Sequence, residues 1–270
     1  HANIRLQSVS GGYDDSMSVG GTLANAPDGL IEVNPGTGGS RYLTANVVNQ
    51  GILNIASGTS LYSNGAGKVF RQEAGSINAT NLFTWADGRF DLVGGSLTGS
   101  VAVHNGSLDV AASASASTIV CAGSSALLAN RATNVVVWVQ GGLYNHATLT
   151  TAADAVNAGT IRLETSYGGY NSILNVGGSN FVNLASGVIE SQPGTGGDRS
   201  VNGFFVNQGL VDATGHFVNL TGTYEAAGGR ILGGGRLVNA QLRMTASPAT
   251  PTTVDLWGTT TLLTDVLPNT

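Results

Sequence analysis

VVNQGILNIAS at 47–57 and FVNQGLVDATG at 205–215 are two spellings of one unit, and reading that unit decides the fold. Each sets an Asn-Gln-Gly turn before a short run in which apolar and polar residues alternate. Period-two alternation puts one face of an extended segment against a core and the other in solvent, and a glycine at its head marks a turn that needs a positive φ. The rhythm recurs in DGLIEVN (28–34), AGSINAT (74–80), DGRFDLV (87–93), NGSLDVA (105–111), AGTIRLE (158–164), SGVIES (186–191) and GGRILGG (228–234). The leading glycines stand at 29, 51, 75, 88 and 106, then at 159, 187, 209 and 229. Spacing of about 20 residues is one lap of a β-solenoid, in which three short strands wind round a core and each lap stacks on the last. Nothing in the chain shows a sustained helical period.

Outward from these units the echo lengthens. PGTGGSR (35–41) returns as PGTGGDR (193–199), 158 positions on, and HANIRLQSVSGGYDDSMSVGG (1–21) aligns with AGTIRLETSYGGYNSILNVGG (158–178). A tandem duplication accounts for this, with residues 1–157 as the first long repeat and 158–270 as a second, truncated one. LLTDVLPNT (262–270) in turn resembles LLANRATNV (127–135), as a third copy would, so the chain reads as a slice of a longer array. The expected architecture is all-β, a right-handed parallel β-helix of about twelve laps forming a rod about 55–60 Å long at the usual strand spacing. An antiparallel sandwich also has short strands and frequent turns and stays open as the alternative. The solenoid is favoured because V-N-Q-G turns recur at lap spacing, where stacked asparagines bond their neighbours above and below.

Composition narrows the function. Glycine supplies 40 of 270 residues, and charged residues make up 10%, against about 25% in ordinary domains. A net charge of −5 with a single lysine, Lys68, offers no basic surface to a phosphate backbone, which excludes nucleic acid as a partner. Cys121 stands alone and reads as a small core residue rather than a nucleophile. The longest apolar run, VVVWV (135–139), is far short of the roughly 20 residues of a membrane-spanning helix, and no basic and apolar leader precedes the first strand.

The candidate chemistries are few. NGAGKV (64–69) fails as a phosphate loop, because Tyr62 stands where glycine is required and Val69 where Ser or Thr is required. The echoed loops supply one carboxylate, Asp198, too few for a hard cation. His1, His104, His146 and His216 lie far apart, so zinc spacing is not met. His1 could suggest a terminal copper site, yet the residues after it match an internal strand of the other copy. No metal and no cofactor are expected. TTTLL (259–263) is too isolated for an ice-binding face. Glu32/Arg41 and Glu190/Arg199 flank the echoed loop nine residues apart and read as surface ion pairs that staple it. The sharpest candidate is TWADGRFDL (84–92), where alternation places Trp85, Asp87, Arg89 and Asp91 on one face, an aromatic and carboxylate row of the kind that binds or cleaves sugars.

The N-x-G-x-I/L-x-V units, the abundance of Gly, Asn, Thr and Ser, the scarcity of Lys and Cys, and TWADGRFDLVGGSLTG (84–99) together resemble the β-solenoid repeats of large bacterial surface and secreted proteins. Autotransporter passenger domains and filamentous-haemagglutinin-type adhesins are among them. The resemblance covers essentially the whole chain and transfers no catalytic signature. It implies an extracellular or bacterial cell-surface module, non-enzymatic, that adheres, shields or builds a fibre. The partners it implies are other copies or adjoining repeats, end to end or laterally, and surface glycans. The alternative is a polysaccharide-binding or polysaccharide-cleaving β-helix that uses the Trp85 to Asp91 row.

Overall fold

A computed structural model describes residues 3–63, 65–177, 180–248 and 250–267. Among these the chain is all-β, with 26 strands and no helix. The strands pair in parallel, lap upon lap, as a β-solenoid with about 11 turns in all, and this excludes the antiparallel sandwich. The chain divides into two compact units, residues 1–120 and 121–270, so the duplication boundary at 157/158 falls within the second.

In the first unit each lap contributes to three parallel faces. One stacks Asn3–Leu6, Leu30–Val33 and Ile52–Ile55, followed by residues 76–79 and 96–99. A second runs through residues 15–18, 41–43, 60–62, 82–86 and 100–104. The third runs through 22–25, 47–49, Val69–Gln72, Arg89–Leu92 and Ser107–Val110. Long strands such as Ser76–Ala86 serve two faces and turn the corner at Thr80 and Asn81, where the register shifts. The second unit repeats the plan. Val135–Gly141, Thr160–Thr165 and Val188–Ser191 stack on one face, and Ala147–Thr151, Ser172–Val176 and residues 199–202 on the next. Val156–Asn157, Phe181–Asn183 and residues 205–207 form the third.

Alternation sets what goes inside. In Arg41–Asn49 the odd residues Arg41, Leu43, Ala45, Val47 and Asn49 are buried and the even ones half-buried. Because laps stack in register, like falls on like. Phe70 lies over Phe90 with rings 5.2 Å apart and nearly parallel, while Phe83 and Trp85 meet Phe70 edge-on at 5.3 and 5.4 Å. In the second unit Phe181, Phe205 and Tyr224 follow one another at 5.9 and 5.6 Å. Buried aromatic pairs of this kind add about 0.5–1.5 kcal/mol each beyond the area they bury.

The polar rungs are as regular. Asn25 donates to Asn49 Oδ1 and Asn49 donates to Gln72 Oε1, each at 2.7 Å. In the second unit Asn130 donates to Asn157, Asn157 to Asn183 and Asn183 to Asn207, at 2.9, 2.8 and 2.9 Å. Asn207 then donates to the Tyr224 hydroxyl at 3.0 Å. These side chains are buried, and the ladder gives the amide groups withdrawn from water their partners, with the exception of Asn130 Oδ1 at its first rung in the second unit.

Two expectations need correction. Of the nine leading glycines only Gly75 has a positive φ; at Gly88 and Gly106 the left-handed residue is the one before, Asp87 (φ 57°) or Asn105 (φ 51°). What the glycine supplies is closeness. A Cβ on Gly51 would lie 2.3 Å from the Ala26 carbonyl oxygen, and one on Gly209 would lie 2.2 Å from that of Gly187. The second correction concerns the echoed loop. Arg41 and Arg199 do not pair with Glu32 and Glu190 but turn inward and cap the loop's carbonyls. Arg41 Nη1 donates to Gly38 O and Gly39 O and its Nη2 to Asn34 O; Arg199 makes the same bonds to Gly196, Gly197 and Gln192. Burial pushes the Arg199 guanidinium below its ordinary range, with Glu164 and Asp198 pulling the other way. Glu32 and Glu190 pair instead across laps, with Arg5 and Arg162.

Cys121 is a buried core residue, as expected, and burial pushes its thiol up to about 12 from 9.0. Burial likewise pushes the Tyr224 hydroxyl up to about 12 from 10.0, against the hydrogen bond from Asn207. Between those limits the unfolded chain sheds protons that the folded chain keeps. Stability is therefore fully present below about pH 9 and falls as pH rises towards 12. Urea midpoints at pH 8 and pH 11 should show the loss, and Cys121→Ala should reduce it; equal midpoints at the two pH values would contradict the burial.

Candidate functional site

The four residues of the proposed sugar row do not share a face. Trp85 is 0% exposed and packs inside the first unit against Phe70 and Phe83, because it lies on the inward phase of Ser76–Ala86. Asp87 and Gly88 then make a turn, and the alternation restarts with inverted phase at Arg89. Asp87 is exposed on that corner, its backbone N–H donating to the His104 carbonyl, while Arg89 and Asp91 lie on the outer phase of Arg89–Leu92, Arg89 half-buried and Asp91 buried. No sugar ring can reach Trp85 without opening the core. Its indole Nε1 has no hydrogen-bond partner, and a Cβ on Gly88 would lie 2.6 Å from it.

What the structure builds around Arg89 and Asp91 is a ladder of charges across three laps. Arg89 Nε meets Asp91 Oδ1 at 2.6 Å and Arg89 Nη2 meets Asp109 Oδ2 at 3.2 Å. Arg71 Nε meets Glu73 Oε1 at 2.6 Å, and Arg71 Nη1 lies 3.7 Å from Asp91 Oδ2. The bond from Arg71, then one from Gln50, holds the Glu73 carboxyl below its ordinary range. Each carboxylate has a guanidinium at hand, an arrangement suited to holding laps in register. Partly exposed pairs of this type contribute at most about 1 kcal/mol each.

An aromatic and carboxylate row does occur in the second unit, and of its residues the sequence points only to Glu190, with Arg199 as its partner. Trp138, Arg162 and Glu190 lie in register on three successive strands, and Glu164 stands beside Gln140 on the same outward face. The Arg162 guanidinium lies 5.9 Å over the Trp138 ring, and its Nε donates to Glu190 Oε1. Burial pushes the Glu164 carboxyl above its ordinary range, against the pull of Arg162 and Arg199. The period-two phase of VVVWVQGG, TIRLET and VIES points all four outward, so the signal was present; only the register across laps makes them neighbours.

Among the described residues no three His, Cys, Asp or Glu side chains gather as a metal site, and no helix is long and apolar enough to cross a membrane. His104 is half-buried in the first unit, His146 sits on a loop of the second, and His216 packs on Phe217 at 4.2 Å. His1 lies outside the described residues. Comparison of the chain with protein-family models, with curated proteins and with solved structures gave no match.

Proposed function

We propose that the chain is a non-enzymatic structural or adhesive module of a bacterial cell-surface or extracellular fibre, of the kind represented by autotransporter passengers and filamentous-haemagglutinin-type adhesins. One observation carries the reading: what the two copies hold in common is scaffold. Asn25 and Asn183, Asn49 and Asn207, Arg41 and Arg199, and Gly51 and Gly209 occupy matching places, and each bonds or packs against a neighbouring lap or its own loop. Loop and outward residues vary in part, as in GGYDD against GGYNS, while the outward pair Arg5–Glu32 that joins two laps returns as Arg162–Glu190. Duplication that preserves the stacking chemistry while the surface drifts fits a protein whose work is length and stiffness, with partners that include further copies joined end to end or laterally. The test is labelling of intact cells of the source organism with an antibody to the folded chain. Surface signal removed by external protease is the expected result. Signal that appears only after lysis would reject the extracellular placement.

A further inference from the structure

We infer that the stacked loops 142–146 and 166–171 of the second unit form a binding surface for a neutral hexopyranose polysaccharide. The inference rests on the adhesive part of the reading above and moves the sugar site from the buried Trp85 to exposed rings. Tyr144 is 41% exposed and Tyr167 67%. The Tyr170 ring lies between two others, meeting His146 edge-on at 5.3 Å and Tyr167 at 6.1 Å with a tilt of 36°.

The rings are held by the lap geometry. The Asn171 backbone N–H donates to His146 Nδ1 at 2.9 Å, which leaves Nε2 as the protonated nitrogen of the neutral imidazole. The Asp198 N–H, one lap further on, donates to Asn171 Oδ1 at 2.9 Å. Gly142, at φ 106°, lets Tyr167 settle against it, since a Cβ there would meet the Tyr167 backbone nitrogen at 2.6 Å. Gly197 does the same at the Tyr170 carbonyl, where a Cβ would come within 1.7 Å. With the imidazole fixed and the backbone beneath Tyr167 and Tyr170 held by close packing between laps, only the two ring torsions of each tyrosine remain to be ordered when a ligand covers them, a low entropy cost that suits Tyr among Asn, Ser and Gly to recognition.

The composition selects the ligand. The two loops read GLYNH and SYGGYN, with Leu143 the one aliphatic side chain and no Lys, Arg, Asp or Glu. An apolar protein surface would find little to bury there, and an acidic glycan would find no cation within the loops. A neutral sugar chain presents C–H faces that stack on tyrosine rings and hydroxyls that bond amide, imidazole and phenol groups. The equivalent loop of the first unit, GGYDD, presents Tyr13 beside two carboxylates and has Ser10 in the place of Tyr167.

Affinity electrophoresis of the full chain in gels containing hydroxyethylcellulose, laminarin, galactomannan or alginate tests this. The expected result is retardation by at least one of the three neutral polymers and none by alginate. Tyr167→Ala/Tyr170→Ala should weaken that retardation at least tenfold, Tyr167→Ser alone should weaken it while leaving the urea midpoint unchanged, and Tyr13→Ala should leave it intact. Absence of retardation by every neutral polymer, or retardation equal in wild type and the tyrosine variants, overturns the inference. Either outcome leaves the cell-surface test standing, because antibody labelling reads location and not sugar affinity.

Discussion

Asn157→Ala should cost about 3–5 kcal/mol in urea unfolding, since it removes the middle rung of a fully buried ladder. Asn157 Nδ2 donates to Asn183 Oδ1, to Gly159 O at 2.9 Å and to Val188 O at 3.3 Å, while its Oδ1 accepts from Asn130. An alanine removes a bond from all four neighbours in a place water does not reach; the Gly159 carbonyl keeps the Val188 N–H, whereas Asn183 Oδ1 loses its amide donor and Asn130 Nδ2 keeps only a long contact to Val135 O, and each orphaned group costs about 1–3 kcal/mol. Asn157→Leu keeps the volume and should be nearly as damaging, which separates lost bonding from lost packing. Asn157→Gln should recover part of the stability, because Gln72 already serves as a rung in the first unit. Asn130→Ala should cost less, as Asn130 Oδ1 has no partner to lose. Since a solenoid's stability is close to a sum over neighbouring laps, amide exchange should quicken first in residues 156–157 and 181–183. A uniform change across the chain would contradict this.

Phe70→Ala should cost about 3–5 kcal/mol, in the range of buried Phe truncations. Phe70 is the hub of a four-ring cluster with Phe83, Trp85 and Phe90, and all four are 0% exposed. The backbone ladder above and below fixes strand spacing, so the cavity cannot close by moving one lap towards another. Phe70→Leu should cost about 1–1.5 kcal/mol, since hydrophobic swaps of similar volume are the ones cores tolerate. A loss under about 1 kcal/mol for the alanine variant would mean that the four rings are not packed together.

The architecture was legible from sequence because the same physics writes it many times. Period-two alternation after each turn gave strands, lap spacing gave stacking, and repeated asparagines announced the ladder that the structure shows. What was hidden depends on register between laps. Spacing along the chain pairs Arg41 and Arg199 with Glu32 and Glu190, whereas those two acids find their arginines 27 and 28 residues earlier, on the preceding lap. The arginines were thereby free to cap carbonyls, a role that three glycines in PGTGGSR foreshadow, since a loop so short of side chains must satisfy its backbone with something nearby. Trp85 is hidden for a local reason: simple alternation runs straight through Asp87-Gly88, although an Asp-Gly pair is itself a turn signal that resets the phase. The outward residues Trp138, Arg162 and Glu190 lie on three different units of the sequence, and no single stretch could show them as neighbours.

The central claim is that successive laps lie parallel and in register, and spin labels read this directly. Glu32, Asn54, Asn78 and Thr98 occupy one register position on four consecutive laps of the first unit. With Cys121 replaced by alanine, nitroxide pairs at 54/78, 54/98 and 32/98 should report backbone separations of about 5, 10 and 14 Å, rising by one strand spacing per lap. Dipolar broadening that falls evenly across the three pairs is the expected result; separations that do not increase with lap number would contradict the stacked parallel arrangement.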